Sequence, residues 1–276
     1  MDQRPSPGEL CLDHVAHFVP DLKAAAGALE KLRLVVTPES AHRTQHGPAG
    51  TSNRCLMLEA GYVEILAPNN ETATDTPNAQ RVRERMKRFV GVHLCCFGTP
   101  DPAGEHARLA ANGFEPEPLV NLARTLQDGT PVKFNVVYVP PPKMPEGRIQ
   151  YCEHLTETNM WRKEWVNEGL RLDAAFVVAE DPAEVAARWA RFSGVLPRRE
   201  GDLVALPLAR GKILLGTRAA LAAHLGEAPP APALAGYSLK CGQPAEFAAR
   251  CSNAGFRVAG NIVRLPASLG GVWVIG

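Results

Sequence analysis

One pattern recurs four times along the chain and limits what it can fold into. An apolar strand-like run is followed by a short helix and then by closely spaced short strands. The first copy opens on Leu12-Asp13-His14-Val15-Ala16, passes Pro20-Asp21-Leu22 into an alanine-rich helix, and closes on Tyr62-Val63-Glu64-Ile65-Leu66. The second opens on Gly91-Val92-His93-Leu94 and closes on Arg148-Ile149-Gln150-Tyr151-Cys152. The third and fourth share the layout but carry Ala174 and Gly236 or Tyr237 where the first two carry histidine. Duplication of a β-α-β-β-β unit explains this spacing. The asymmetry between the copies shows where chemistry can reside.

A chain of 276 residues suffices for two domains, each with its own core. Its 30 Lys and Arg nearly balance 29 Asp and Glu, so no global field draws it to nucleic acid or to an anionic membrane. No apolar run is long enough for a membrane span, and the N-terminus lacks the apolar core of a secretory signal. The expected location is the cytoplasm. The 7 cysteines fit that address, because they form no C-x-x-C pair and most lie in strand-like runs, as buried thiols do.

Alternation predicts a first strand over 11–19, and Asp21 is placed to cap a helix over 22–32. Strands near 33–37, 53–59 and 62–67 complete the unit, with His42 and His46 in a polar surface loop. A basic connector over 69–90 faces solvent. The second unit reads as strand 91–97, helix 103–112, and strands 114–119, 132–139 and 147–153. Trp161 and Trp165 share one face of an expected helix within 156–171, packed between domains. The third and fourth units fill 172–276.

On the strength of Leu12-Asp13-His14-Val15 with Asp21-Leu22, Tyr62-Val63-Glu64-Ile65-Leu66 and Gly91-Val92-His93-Leu94, the sequence resembles the vicinal-oxygen-chelate superfamily and its glyoxalase-like domain proteins. The resemblance covers nearly the whole chain. It implies an α+β fold in which four βαβββ units pair into two glyoxalase-like domains with curved mixed sheets. The expected division is an N-terminal domain over 1–155, a connecting helix over 156–171 and a degenerate C-terminal domain over 172–276. Metal-using members hold a divalent ion in the cup of such a domain. Carried over residue by residue, His14, Glu64 and His93 match three ligands. Counting from the turn glycines aligns Gly61 to Glu64 with Gly147 to Gln150, so the fourth ligand is Gln150. Strand alternation sets His154 on the same face as Gln150, as a replacement or supplement, and turns Glu153 away.

Imidazoles, a carboxylate and an amide make a mixed N/O site suited to Zn, Ni, Fe(II), Mn or Co. A metal there acts as a Lewis acid on a substrate that offers two adjacent oxygens. The expected function is that of a small-molecule metalloenzyme, a lyase, isomerase or dioxygenase, with Glu64 as the catalytic carboxylate. Asn53, Arg54, Arg124 and Asn135 are placed to anchor an anionic or carbonyl-bearing substrate. The competing reading is a metal-free binding protein of the bleomycin-resistance type. With Ala174, Leu214, Gly236 or Tyr237, and Val274 in the ligand positions, the C-terminal pair is expected to be structural, covering the cup or mediating homodimer contacts.

Overall fold

A computed structural model of the protein describes residues 3–69, 71 and 75–276. The first unit comprises β1 (Cys11–Phe18), α1 (Leu22–Glu30), β2 (Ser40–Thr44), β3 (Gly47–Ala60) and β4 (Tyr62–Pro68). A connecting helix α2 (Pro77–Met86) leads to β5 (Gly91–Gly98), α3 (Pro102–Ala111), β6 (Val120–Thr125), β7 (Pro131–Tyr138) and β8 (Arg148–His154). The third unit contains β9 (Val166–Val178), α4 (Pro182–Ser193), β10 (Arg198–Glu200), β11 (Leu203–Pro207), β12 (Lys212–Gly216) and α5 (Arg218–Leu225). The last contains β13 (Ala233–Cys241), α6 (Pro244–Asn253), β14 (Arg257–Ala259), β15 (Ile262–Arg264) and β16 (Val272–Ile275).

The same local chemistry starts three of the four unit helices. Asp21, Asp101 and Asp181 each accept a backbone N–H of the following turn, satisfying donors that a helix start leaves free. At the end of β3 the chain reverses through Gly61 (φ +69°), where a Cβ would sit 2.8 Å from the Asp13 carbonyl oxygen. Only glycine fits that approach.

Strands β1-β4-β3-β2-β6-β7-β8-β5 close on themselves as an eight-stranded barrel. At its seam β1 and β5 run antiparallel, with Val15 opposite Cys95 at a local two-fold centre. β9 and β13 form the corresponding seam of the second pair. There the outer hairpins are only three to five residues long, and β10 and β14 stay unjoined, so the second sheet remains an open trough. The barrel and trough join in one 16-stranded sheet through the parallel pairing of β3 with the start of β9. One apolar core runs between the helices and the backs of both seams, from Leu12, Val15 and Phe97 to Val177, Tyr237 and Trp273. Smaller clusters fill the barrel and the trough. Curved mixed sheets in an α+β chain are thus established. No described helix is long and apolar enough to cross a membrane.

Four expected elements differ. The segments at 33–37 and 114–119 are not strands: after α1 and α3 the chain turns through positive φ at Arg33 and Glu115 and finds a ladder partner only later. The expected helix over 156–171 is a single 3-10 turn at Glu157–Asn159, followed by β9 from Val166. The polar loop around His42 is the strand β2.

Candidate functional site

The strand registers decide which side chains meet inside the barrel. In one row His14 lies beside Tyr62 and opposite Cys96, and Cys96 lies beside Gln150. In the next row Ala16 lies beside Glu64 and opposite Leu94, and Leu94 lies beside Arg148. The local two-fold therefore exchanges Glu64 with Gln150, and it exchanges His14 with Leu94. His14, Glu64 and Gln150 all line one cavity inside the barrel, together with His42, Asn53, Arg124 and Arg148.

His93 is not part of this cavity. A register shift between Ala16 and His17 absorbs one extra residue of β5 and turns His93 outward. Its Nε2 meets the Phe89 carbonyl oxygen at 2.7 Å, and its ring stacks on Phe89 at 4.2 Å. Burial pushes its pKa down to about 4. The expected ligand position of the second unit is held by Leu94.

His14 is the best-defined group. Its Nδ1 lies 2.6 Å from Asp13 Oδ1, so Nδ1–H donates to the carboxylate. Nε2 faces Glu64 Oε2 at 4.0 Å, and the Tyr62 ring stacks on the imidazole at 4.3 Å. Asp13 is fully enclosed. Burial alone would raise its pKa, but His154 and His14 outweigh that and hold the carboxyl well below the usual range. His154 does not line the cavity. Its Nε2 reaches Asp13 Oδ2 at 3.0 Å, so it supports the Asp13–His14 pair from behind, with Trp161 and Phe134 edge-on to its ring.

Glu64 accepts a hydrogen bond from Asn53 Nδ2 at 2.5 Å. His42 Nε2 stands 3.7 Å from Glu64 Oε1, and His42 Nδ1 meets Thr51 Oγ1 at 3.1 Å. Burial would push the Glu64 carboxyl up, but His42, His14, the Asn53 bond and Arg124 together hold it below the usual carboxylate range. His42 itself is pushed down to about 4 because burial outweighs the attraction of Glu64, so it is neutral at pH 7. Sequence reasoning placed His42 at the surface. The alternation of Ser40, His42 and Thr44, which puts the buried Ser40 and His42 on one face, is the signal that marks it.

Arg124 donates to Ser40 Oγ at 2.8 Å and to Asn53 Oδ1 at 3.0 Å, leaving its buried Nε–H without a partner. Arg54 and Asn135, expected beside the substrate, point out of the barrel. Arg54 binds the Thr37 carbonyl oxygen and Glu30, and Asn135 bonds to Asn121 and Glu153. Both lie one residue out of phase with the inward face, and the pleat alternates.

Three side chains lining the cavity carry atoms of the kinds a divalent metal takes: His14 Nε2, the Glu64 carboxylate and Gln150 Oε1. The last is a buried oxygen with no hydrogen-bond partner, while Gln150 Nε2 makes only a long 3.8 Å contact to Cys96 Sγ. Asp13, His14 and Cys96 also bring ligand atoms within 4.8 Å of one another. That grouping suits a metal less well, because burial keeps the Cys96 thiol protonated and Asp13 is spent on two imidazoles.

A family model described as a glyoxalase-like domain matches residues 12–193. No curated protein sequence matches. Among solved structures, a hypothetical protein from Staphylococcus aureus superposes with a TM-score of 0.69 at 14% identity, covering 97% of this chain and 99% of that one. A triple mutant of 4-hydroxymandelate synthase from Streptomyces coelicolor superposes with a TM-score of 0.59 at 13% identity, covering 98% and 93%. Likeness at this identity speaks for the fold alone.

Proposed function

The chain belongs to the glyoxalase-like domain family, and from that premise we propose that its barrel is a metal-assisted small-molecule enzyme of the lyase, isomerase or dioxygenase kind. The observation that carries this reading is the orphaned Gln150 Oε1, enclosed in the same cavity as His14 Nε2 and Glu64. A buried carbonyl oxygen without a donor costs free energy that a cation would recover. His14, Glu64 and Gln150 would hold the ion. When bound, it supplies Lewis-acid stabilisation of charge on two neighbouring substrate oxygens. Asp13 fixes the tautomer and direction of His14. Asn53 orients Glu64, which stays ionised and can take a proton from the substrate. The free Arg124 Nε–H supports an anionic or carbonyl oxygen of that substrate.

Metal analysis of untagged protein, with melting curves in Zn, Ni, Mn and Fe(II), tests this reading. Stoichiometric metal and a raised melting temperature that His14→Ala abolishes are the expected results. No bound metal and no shift with any ion would sink it. A second reading, a metal-free protein that sequesters a small ligand, draws support from Leu94, whose side chain stands where a fourth donor would stand. Undiminished binding of a 1,2-dicarbonyl or a catechol in excess EDTA would select it.

A further inference from the structure

The barrel cavity has a neighbour. Beneath α2, a second, small cavity is lined by Phe18, Val82, Arg81, Arg85, Tyr138 and Arg148, among others. Tyr138 and Arg148 line both cavities, so the two lie on either side of these side chains. The guanidinium of Arg148 lies 4.4 Å over the Tyr138 ring and donates to Asn78 Oδ1 at 2.6 Å. Arg85 donates to the Gly147 carbonyl oxygen at 2.9 Å. The carboxylates nearby are committed elsewhere: Glu117 pairs with Arg81, and the buried Glu146 pairs with Arg188. Among the described residues, neither Arg85 nor Arg148 has a carboxylate partner. Burial and the like charges of Arg88 and Arg148 outweigh the attraction of Glu146 and push the Arg85 pKa down to about 10.

Two guanidinium groups thus line one half-enclosed cavity with no carboxylate in contact with either, and the acid that acts on Arg85 from a distance, Glu146, is already paired with Arg188. We propose that this second cavity is an oxyanion subsite, taking a phosphate or carboxylate group on Arg85 and Arg148. Its use by the barrel's ligand rests on the reading of the barrel as a small-molecule site; the anion binding itself does not. Arg148, which lines both cavities, then aligns an elongated ligand whose reacting oxygens lie toward His14 and Glu64.

Inorganic phosphate is the probe, titrated by calorimetry and by melting temperature in EDTA, so that no metal response intrudes. Saturable binding is expected in the wild type, in Lys87→Gln, which changes an exposed charge next to the site, and in His14→Ala. Arg85→Gln and Arg148→Gln should weaken binding about tenfold or more, the loss of one charge-assisted hydrogen bond, and Arg85→Lys should recover part of it. No saturable phosphate response in the wild type, or an unchanged response in both glutamine variants, overturns the proposal. A metal response that fails while the phosphate response persists counts only against the proposed function. Phenyl phosphate separates the two sources of anion: tighter binding than inorganic phosphate assigns the subsite to a ligand extending into the barrel, and exclusion assigns it to a free ion.

Discussion

At the scale of single residues, the site depends on how Asp13 holds His14. Replacing Asp13 by Asn keeps the shape but removes the charge that fixes the Nδ1–H tautomer. The expected result is a loss of about 10–100-fold in Zn or Ni affinity by calorimetry, the usual cost of losing the carboxylate behind a ligating histidine. His93→Gln should leave that affinity unchanged, because His93 bonds to the Phe89 carbonyl oxygen outside the barrel. A loss in His93→Gln equal to that in Asp13→Asn would refute the assignment of Leu94 to the ligand position. That His14, Glu64 and Gln150 face one cavity is legible in the sequence because strand alternation and the turn glycines fix their phase. His93 misled because the Gly-Val-His-Leu run resembles the opening of the first unit. The better signal was the helix cap: Asp21 lies seven residues after His14, and Asp101 lies seven after Leu94. His42 was hidden by its Gly- and Pro-rich surroundings, since its burial depends on pairing with β6 far along the chain.

At the scale of elements, the decisive misreading was the segment after His154. Tryptophans four apart suit a helix, but the open edge of β3 offers backbone partners that a helix there would leave unpaired. Asn167 fixes the outcome. Its side chain accepts from the Val35 N–H at 2.9 Å and donates to the carbonyl oxygens of Val35 and Met57 at 2.9 and 3.0 Å. It thereby pins the unpaired stretch after α1, the end of β3 and the start of β9 to one another. Asn167→Ala should destabilise the protein by about 2–3 kcal/mol in urea unfolding, because it leaves the buried Met57 carbonyl oxygen and the part-buried Val35 backbone groups without this partner. A change under about 1 kcal/mol would mean that the β3–β9 ladder alone holds the junction. No local pattern could reveal this bridge, whose partners lie 132 and 110 residues away.

At the scale of the whole molecule, barrel and trough are also tied through His17. Its Nδ1–H donates to the Leu269 carbonyl oxygen at 3.0 Å, and its Nε2 accepts from Tyr237 Oη at 2.9 Å. Trp273 Nε1–H donates to the same hydroxyl oxygen, closing a chain from β1 to β13 and β16. Both ring nitrogens are thus committed in the neutral form, and burial pushes the His17 pKa from 6.5 down to about 4. Between those values the unfolded chain binds a proton that the folded chain refuses. The contribution is therefore complete above pH 6.5 and falls away as the pH drops to about 4, in all on the order of 3 kcal/mol for this residue. His42 and His93, also pushed down to about 4, act in the same direction over the same window. Urea midpoints at about pH 7 and about pH 4.5 should show the wild type losing stability on acidification. His17→Phe should start lower, through the orphaned Leu269 carbonyl and Tyr237 hydroxyl, yet lose less between the two pH values. Because the network is a buried polar tie between the two seams, the variant should also unfold less cooperatively, with the fluorescence of Trp273 in the trough and of Trp161 at the barrel reporting different midpoints. An acid slope as steep in His17→Phe as in the wild type would place the linkage in His42 and His93, and coincident midpoints would show that the shared apolar core alone keeps barrel and trough together.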